Sequence, residues 1–131
     1  MTAENFRFSH RLRVRWAEVD MQKIVFNAHY LAYFDLGISE YWRALALPYE
    51  DAMAQLGGEL YLKKSTLEFN TSARMDDLLD VALACQRLGN SSMTLRGAVL
   101  RAGQPLALGE LVYVFADPST QRPRQIGRAH V

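Results

Sequence analysis

The chain has 131 residues, half of them hydrophobic and 22% charged, with fifteen Lys and Arg against fourteen Asp and Glu. That length implies one domain spanning residues 1–131, and the composition excludes disordered and low-complexity architectures. The near charge balance removes the basic footprint of a dedicated nucleic-acid binder. Cys85 is the single cysteine, which excludes a disulfide within the chain and any Cys-based zinc or iron–sulfur site. No apolar run reaches the roughly 18 residues of a membrane-spanning helix, and MTAENFRFSH at residues 1–10 lacks the apolar core of a secretory signal. A soluble cytoplasmic protein is the expectation.

Residues 6–16 alternate. Phe6, Phe8, His10, Leu12, Val14 and Trp16 share one parity, while Arg7, Arg11, Arg13 and Arg15 fall on the other, the pattern of a half-buried strand. From residue 30 to 45 the period becomes helical, with Tyr30, Leu31, Tyr33, Phe34, Gly37, Ile38, Tyr41, Trp42 and Leu45 at spacings of three and four. Only Asp35, Ser39 and Arg43 form a polar stripe, so this helix is expected to be covered on most sides. Leu47-Pro48 ends it. Residues 49–56 read as a short second helix stopped by Gly57-Gly58.

Only strand patterns follow. Residues 59–70 change parity between Leu60/Leu62 and Leu67/Phe69, which predicts a bulge between Lys63 and Thr66. Strands over 79–88, 93–101 and 106–116 are separated by turn signals at 89–92 and 102–105, and the near-continuous apolar run 106–116 predicts a central strand. Short turns require antiparallel neighbours. A helix apolar around most of its girth requires a sheet that curls about it. The predicted class is therefore α+β, a five-stranded antiparallel sheet curled around one long central helix. Its open edges and outer face favour a homodimer or homotetramer. Residues 118–131 form a basic tail carrying Arg122, Arg124 and Arg128.

The chemistry is concentrated in residues 16–35, WAEVDMQKIVFNAHYLAYFD. Asp20 lies in the loop before the helix. Asn27 is an N-cap candidate. The amides of Ala28, His29 and Tyr30 are expected to lack internal partners and to point out of the helix end. Such amides can polarise a carbonyl oxygen, and a nearby carboxylate can attack that carbonyl or activate water against it. The alternative for Asp20 is an Asx turn.

Glu18-x-Asp20, two residues, position 23, two apolar residues (Ile24, Val25), an aromatic (Phe26), three residues, Tyr30 and then the aromatic helix with Tyr33 and Phe34 resemble the signature of the 4-hydroxybenzoyl-CoA thioesterase branch of the hotdog-fold thioesterases. The resemblance runs from about residue 6 to 117, with its sharp part confined to about fifteen residues. It implies the hotdog fold and an acyl-CoA thioesterase that yields a carboxylic acid and free CoA. It places the nucleophile or general base on Asp20 and the carbonyl-polarising amide near Asn27. It also implies an active site formed between subunits, with no metal or redox cofactor, coenzyme A being part of the substrate. The chain departs from the pattern at Lys23, where glycine is usual, and at Asn27, where histidine or tyrosine is usual. Lys23 implies a different local backbone or a side chain directed at substrate, and His29 is expected to contact substrate, to tune Asp20, or to be a capping or packing residue. A non-catalytic binder of acyl-CoA or acyl carrier protein is the other function considered.

Lys63, Lys64, Arg74, Arg87, Arg96 and the tail arginines are candidates to meet the CoA phosphates. Asp76-Asp77 reads as a turn, and His10 and His130 have no partner at metal-ligand spacing. Cys85 falls on the apolar parity of its strand, where a small core residue is expected.

Overall fold

The computed structural model describes residues 6–44, 51, 53, 54 and 57–123. Its strands are β1 (Phe8–Arg13), β2 (Glu59–Phe69), β3 (Leu78–Leu88), β4 (Ser92–Arg101) and β5 (Gln104–Ala116), with helix α1 (His29–Ala44) between β1 and β2. The sheet order is β1-β3-β4-β5-β2 and every pairing is antiparallel. β1 and β2 are therefore consecutive in the chain yet occupy opposite edges. The segment joining them has to pass over one face of the sheet, and α1 lies there.

The local chemistry explains the hairpins. Ala102 and Gly103, both at positive φ (52° and 80°), close β4 onto β5 in two residues, as the twist of paired strands favours. The expected irregularity in β2 falls between Leu62 and Lys64, where the register against β5 shifts. β1 carries a cross-strand pair in register, Arg11 Nε donating to Asp80 Oδ1 at 3.0 Å.

Helix and sheet meet through alternate residues. Tyr30, Tyr33, Phe34, Gly37, Ile38 and Trp42 are buried on α1; Val81 and Leu83, Leu95 and Val99, and Ala107 and Leu111 receive them. Phe34, fully buried, lies over two glycines that face each other in register, Gly97 on β4 and Gly109 on β5. A Cβ on Gly97 would stand 2.5 Å from the Phe34 ring, so these positions are flat because the ring occupies the space. Asp35, Leu36 and Arg43 are exposed, and the helix is uncovered on that side. On the outer face of the sheet, Phe6 covers Ala82, Ala98 and Leu100, with the Arg96 guanidinium 5.2 Å from its ring centre.

Three expectations are corrected. Trp16 does not continue β1: the strand ends at Arg13, a 3-10 turn runs from Trp16 to Glu18, and the indole is 77% exposed. Cys85 is exposed rather than part of the core. β1 pairs with β3 only as far as Leu83, so β3 has lost one neighbour by Cys85, where its register against β4 also shifts. β5 is central, but Glu110 on its outer face is exposed. Asp51, Met53 and Ala54 are helical within the short helix expected over 49–56, whose remaining residues lie outside the described residues, as does the tail beyond Pro123. No helix among the described residues is long and apolar enough to cross a membrane.

Candidate active site

Between the 3-10 turn and α1 the chain makes a small hairpin. The amide of Phe26 donates to Glu18 O at 3.1 Å, Val19 bridges Val25, and the amide of Asp20 donates to Ile24 O at 2.9 Å. The tip is Met21-Gln22-Lys23, with the Lys23 amide bonded back to Asp20 O at 2.9 Å. A three-residue tip of this kind needs a left-handed residue at its last position, and Lys23 supplies it at φ 62°. This corrects one expectation. Lys23 keeps the backbone conformation that suits glycine rather than a different one, at a steric cost of about 1 kcal/mol.

Asp20 holds its own turn: Oδ1 accepts the Gln22 amide at 2.8 Å. The Asx turn considered for it is present, and it leaves Oδ2 without a partner among the described residues. The carboxylate is exposed and lines an open groove with Trp16, Ala17, Val19, Met21 and Lys23. Arg74 is the predicted phosphate-binding candidate that bridges directly to the hairpin, through Ile24. Arg96 is on the outer sheet face against Phe6. Asp77 is structural, accepting the Arg74 amide at 2.8 Å and Arg101 Nη1 at 2.7 Å.

The start of α1 differs from the expected one. The helix begins at His29, so the cap position falls on Ala28 and not on Asn27. The amides of His29 and Tyr30 are already bonded, to Phe26 O at 2.9 Å and Asn27 O at 3.2 Å. Two overlapping turns, 26–29 and 27–30, satisfy them as the helix starts. At this end of the helix the amides without a partner among the described residues are instead those of Asn27 and Ala28. Tyr30 is 2% exposed, and its hydroxyl accepts the Ala73 amide at 3.0 Å, which makes it a brace rather than a groove residue. His29 is half-buried and edge-on to Phe26. It lines a second groove with Leu12, Arg13, Arg15, Glu18, Tyr33 and Leu36, and Ala17 borders both grooves.

Glu18 is the residue whose weight the motif did not reveal. Its side chain is drawn inside, leaving the residue 9% exposed. Oε1 accepts the Arg15 amide at 2.9 Å and the Tyr33 hydroxyl at 3.0 Å, while Oε2 accepts Arg15 Nε and Nη2 at 3.0 and 2.8 Å. Burial pushes its pKa up, but those hydrogen bonds and the Arg15 charge outweigh burial and hold it below the ordinary glutamate value. Burial and the neighbouring Glu18 together push Tyr33 well up, so its hydroxyl stays protonated as a donor. A lowered carboxylate stabilises the fold fully above its unfolded pKa of about 4.3 and stops doing so as pH falls through its lower folded value. The stability difference between wild type and Glu18→Gln should therefore be constant near neutrality and shrink as pH falls below about 4. Denaturant titrations across that range check this; a difference that stays constant contradicts it.

A sheet curled around one helix, with an acidic hairpin feeding the helix start, is the hotdog arrangement. The model of the thioesterase-like superfamily matches residues 14–127, and the chain belongs to that family. The chain is 24% identical over 125 residues to the acyl-CoA thioester hydrolase YbgC of Escherichia coli O157:H7, covering 95% of this chain and 92% of that one. It is 30% identical over 94 residues to a putative esterase of Aquifex aeolicus, covering 72% and 73%. The crystal structure of a probable thioesterase from Bartonella henselae superposes with a TM-score of 0.83 at 22% identity, over 92% of this chain and 98% of that one.

Proposed function

We propose that the protein hydrolyses an acyl-CoA thioester to a carboxylic acid and free CoA, with Asp20 as general base or nucleophile. The observation that carries this reading is Asp20 itself, a carboxylate clamped by its own turn with one oxygen free in a groove, in a chain of the thioesterase-like superfamily. The free amides of Asn27 and Ala28 supply the carbonyl-polarising donors, displaced toward the loop from the positions the helix start first suggests. Two amides aimed at developing oxyanion charge contribute more in the transition state than in the ground state, which is how they speed the reaction. Arg74, bridged to the hairpin through Ile24, and Lys23, in the groove with Asp20, would meet the CoA phosphates. His29 contacts the acyl part from the adjoining groove.

The exposure of Trp16 (77%), Met21 (100%) and Phe26 (56%) around Asp20 supports a site completed by a second copy of the chain, since apolar side chains grouped in this way mark interfaces or ligand grooves. The chemistry requires no cofactor. The same exposed apolar rim keeps one other reading in view, a binder of acyl-CoA or acyl carrier protein that does not turn its ligand over. The two are separated by a screen of purified protein against acetyl-, hexanoyl-, palmitoyl- and benzoyl-CoA, following the released thiol with a thiol-reactive chromophore. Thiol release from at least one of them is expected; tight binding with no release from any supports the binder.

A further inference from the structure

Glu18 is the one buried charged side chain among the described residues, and nothing in the proposed hydrolysis uses it. Its surroundings also exclude a proton-transfer role. Both carboxylate oxygens are occupied, by two donors each, so no oxygen is left to take a proton from water or substrate. A charge costs more to bury than an apolar residue of the same size, and what such a group can supply in return is a fixed geometry.

That geometry is visible in how the hairpin is attached. Each of its arms is tied to α1 through one tyrosine hydroxyl. The arm carrying Asp20 is tied by Tyr33 donating to Glu18 at 3.0 Å. The returning arm is tied less directly: Val25 donates to Ala73 O at 2.9 Å, and the Ala73 amide donates to the Tyr30 hydroxyl at 3.0 Å. Tyr30 and Tyr33 are three residues apart and pack edge to face at 5.9 Å. The returning arm is also held to residues 73–75, by the Ile24–Arg74 bridge and by the Met75 amide donating to Lys23 O at 3.3 Å; the Asp20 arm has no such anchor among the described residues, and Asp20, Met21 and Gln22 are exposed. We propose that Glu18 and Tyr33 are positioning residues that lock the Asp20 arm of the hairpin to α1 and so fix the carboxylate relative to the amides of Asn27 and Ala28. Arg15 completes the lock by occupying the second oxygen of Glu18. The lock rests on the hydrolase reading for its purpose, although its existence is a property of the fold alone.

Tyr33→Phe tests it with the least disturbance, because the ring and its packing on Tyr30 remain and only the hydroxyl is lost. Glu18→Gln is the second variant. Amide hydrogen exchange is measured by mass spectrometry on peptides covering 16–28 and, as an internal reference, 104–116. Losing a hydrogen bond to a charged group should speed exchange in 16–28 by about tenfold or more, with 104–116 rising clearly less. On whichever of acetyl-, hexanoyl-, palmitoyl- or benzoyl-CoA the wild type hydrolyses, kcat should fall by about tenfold with KM little changed. Exchange that rises equally in both segments makes the pair merely structural and overturns the proposal. So does exchange in 16–28 that stays at the wild-type rate, or a faster 16–28 with kcat unaltered. If the wild type releases thiol from none of the four probes, the hydrolase reading has failed, and the exchange pattern still decides whether the lock exists.

Discussion

Asp20→Asn should lower kcat for thioester hydrolysis by about 10²–10⁴-fold while leaving KM and the fold nearly unchanged. The substitution is nearly isosteric. The amide oxygen of asparagine can still accept the Gln22 hydrogen bond that Oδ1 takes at 2.8 Å, so the tip of the hairpin keeps its shape. What is lost is the free anionic oxygen. Asparagine cannot take a proton from water, and its amide is a poor nucleophile toward a thioester. The amides of Asn27 and Ala28 and the apolar walls of the groove are untouched, which is why binding should persist and why a residual rate above that of water is expected from polarisation alone. The measurement is a comparison of kcat and KM on the best substrate from the thioester screen, with circular dichroism to establish that both proteins are folded. Equal turnover by wild type and variant removes Asp20 from the chemistry. A large rise in KM at constant kcat would make it a binding residue.

Hydrolysis by this route also places demands on the partners of Asp20. The thioester carbonyl has to sit where it meets both a free amide and the carboxylate. The free amides lie at 27 and 28, since the overlapping turns 26–29 and 27–30 take those of His29 and Tyr30. This shift bears on the departure at Asn27, since on the proposed route the position would contribute its main-chain N–H to carbonyl polarisation, a donor that every residue except proline carries. The side chain there is free to vary without removing the donor. Lys23 is a comparable case: the left-handed turn is retained at φ 62°, so replacing glycine costs some stability and adds a cation beside Asp20.

The features legible in the sequence were those set by neighbours close along the chain. The turn at 102–103, the bulge in β2 and the aromatic face of α1 each follow from a few consecutive residues, and the curled sheet follows from the girth of that apolar face. The Asx turn of Asp20 was legible because it is local. Features that depend on distant pairing were not legible. Cys85 has the parity of a core residue, and its exposure comes from β1 ending opposite Leu83, which nothing near Cys85 encodes. Trp16 fits the alternation of β1, yet a 3-10 turn, braced by Glu18 reaching back to the Arg15 amide, takes it out of register. The Glu18–Tyr33 contact joins residues fifteen apart across a loop; the only local trace of it was the spacing of Arg15 and Glu18, three residues apart, which suits a capping pair. The occupied amides of His29 and Tyr30 belong to the same class, because a helix pattern fixes where side chains repeat and not where its first turn closes.

Phe34→Ala should be the most destabilising single change in the core, at about 3–5 kcal/mol, a large share of the roughly 5–15 kcal/mol by which a domain of this kind is held folded. The ring is fully buried and fills the space over two facing glycines. Truncation leaves a cavity against a floor of two glycines, which have no side chains of their own to fill it. Gly97→Ala approaches the same space from below. Its new Cβ would stand 2.5 Å from Phe34 Cε1 and 3.1 Å from Leu83 Cδ2, too close unless the ring or the strand moves. Replacing glycine also restricts the unfolded chain, a gain of about 0.4–1 kcal/mol, but overpacking at about 1–3 kcal/mol is the larger effect, so the net sign is destabilising. The two changes compensate each other. With the ring gone, the Gly97 methyl meets only the flexible end of Leu83 at 3.1 Å, and Gly97→Ala in the Phe34→Ala background should cost little or recover part of the loss. Urea unfolding of the four proteins of this double-mutant cycle should show a coupling of about 1–3 kcal/mol, with the m-value unchanged so that the shift in midpoint reports stability. Additive losses would mean that Phe34 does not rest on Gly97, and the ring could then no longer be the reason that two glycines stand inside adjacent strands.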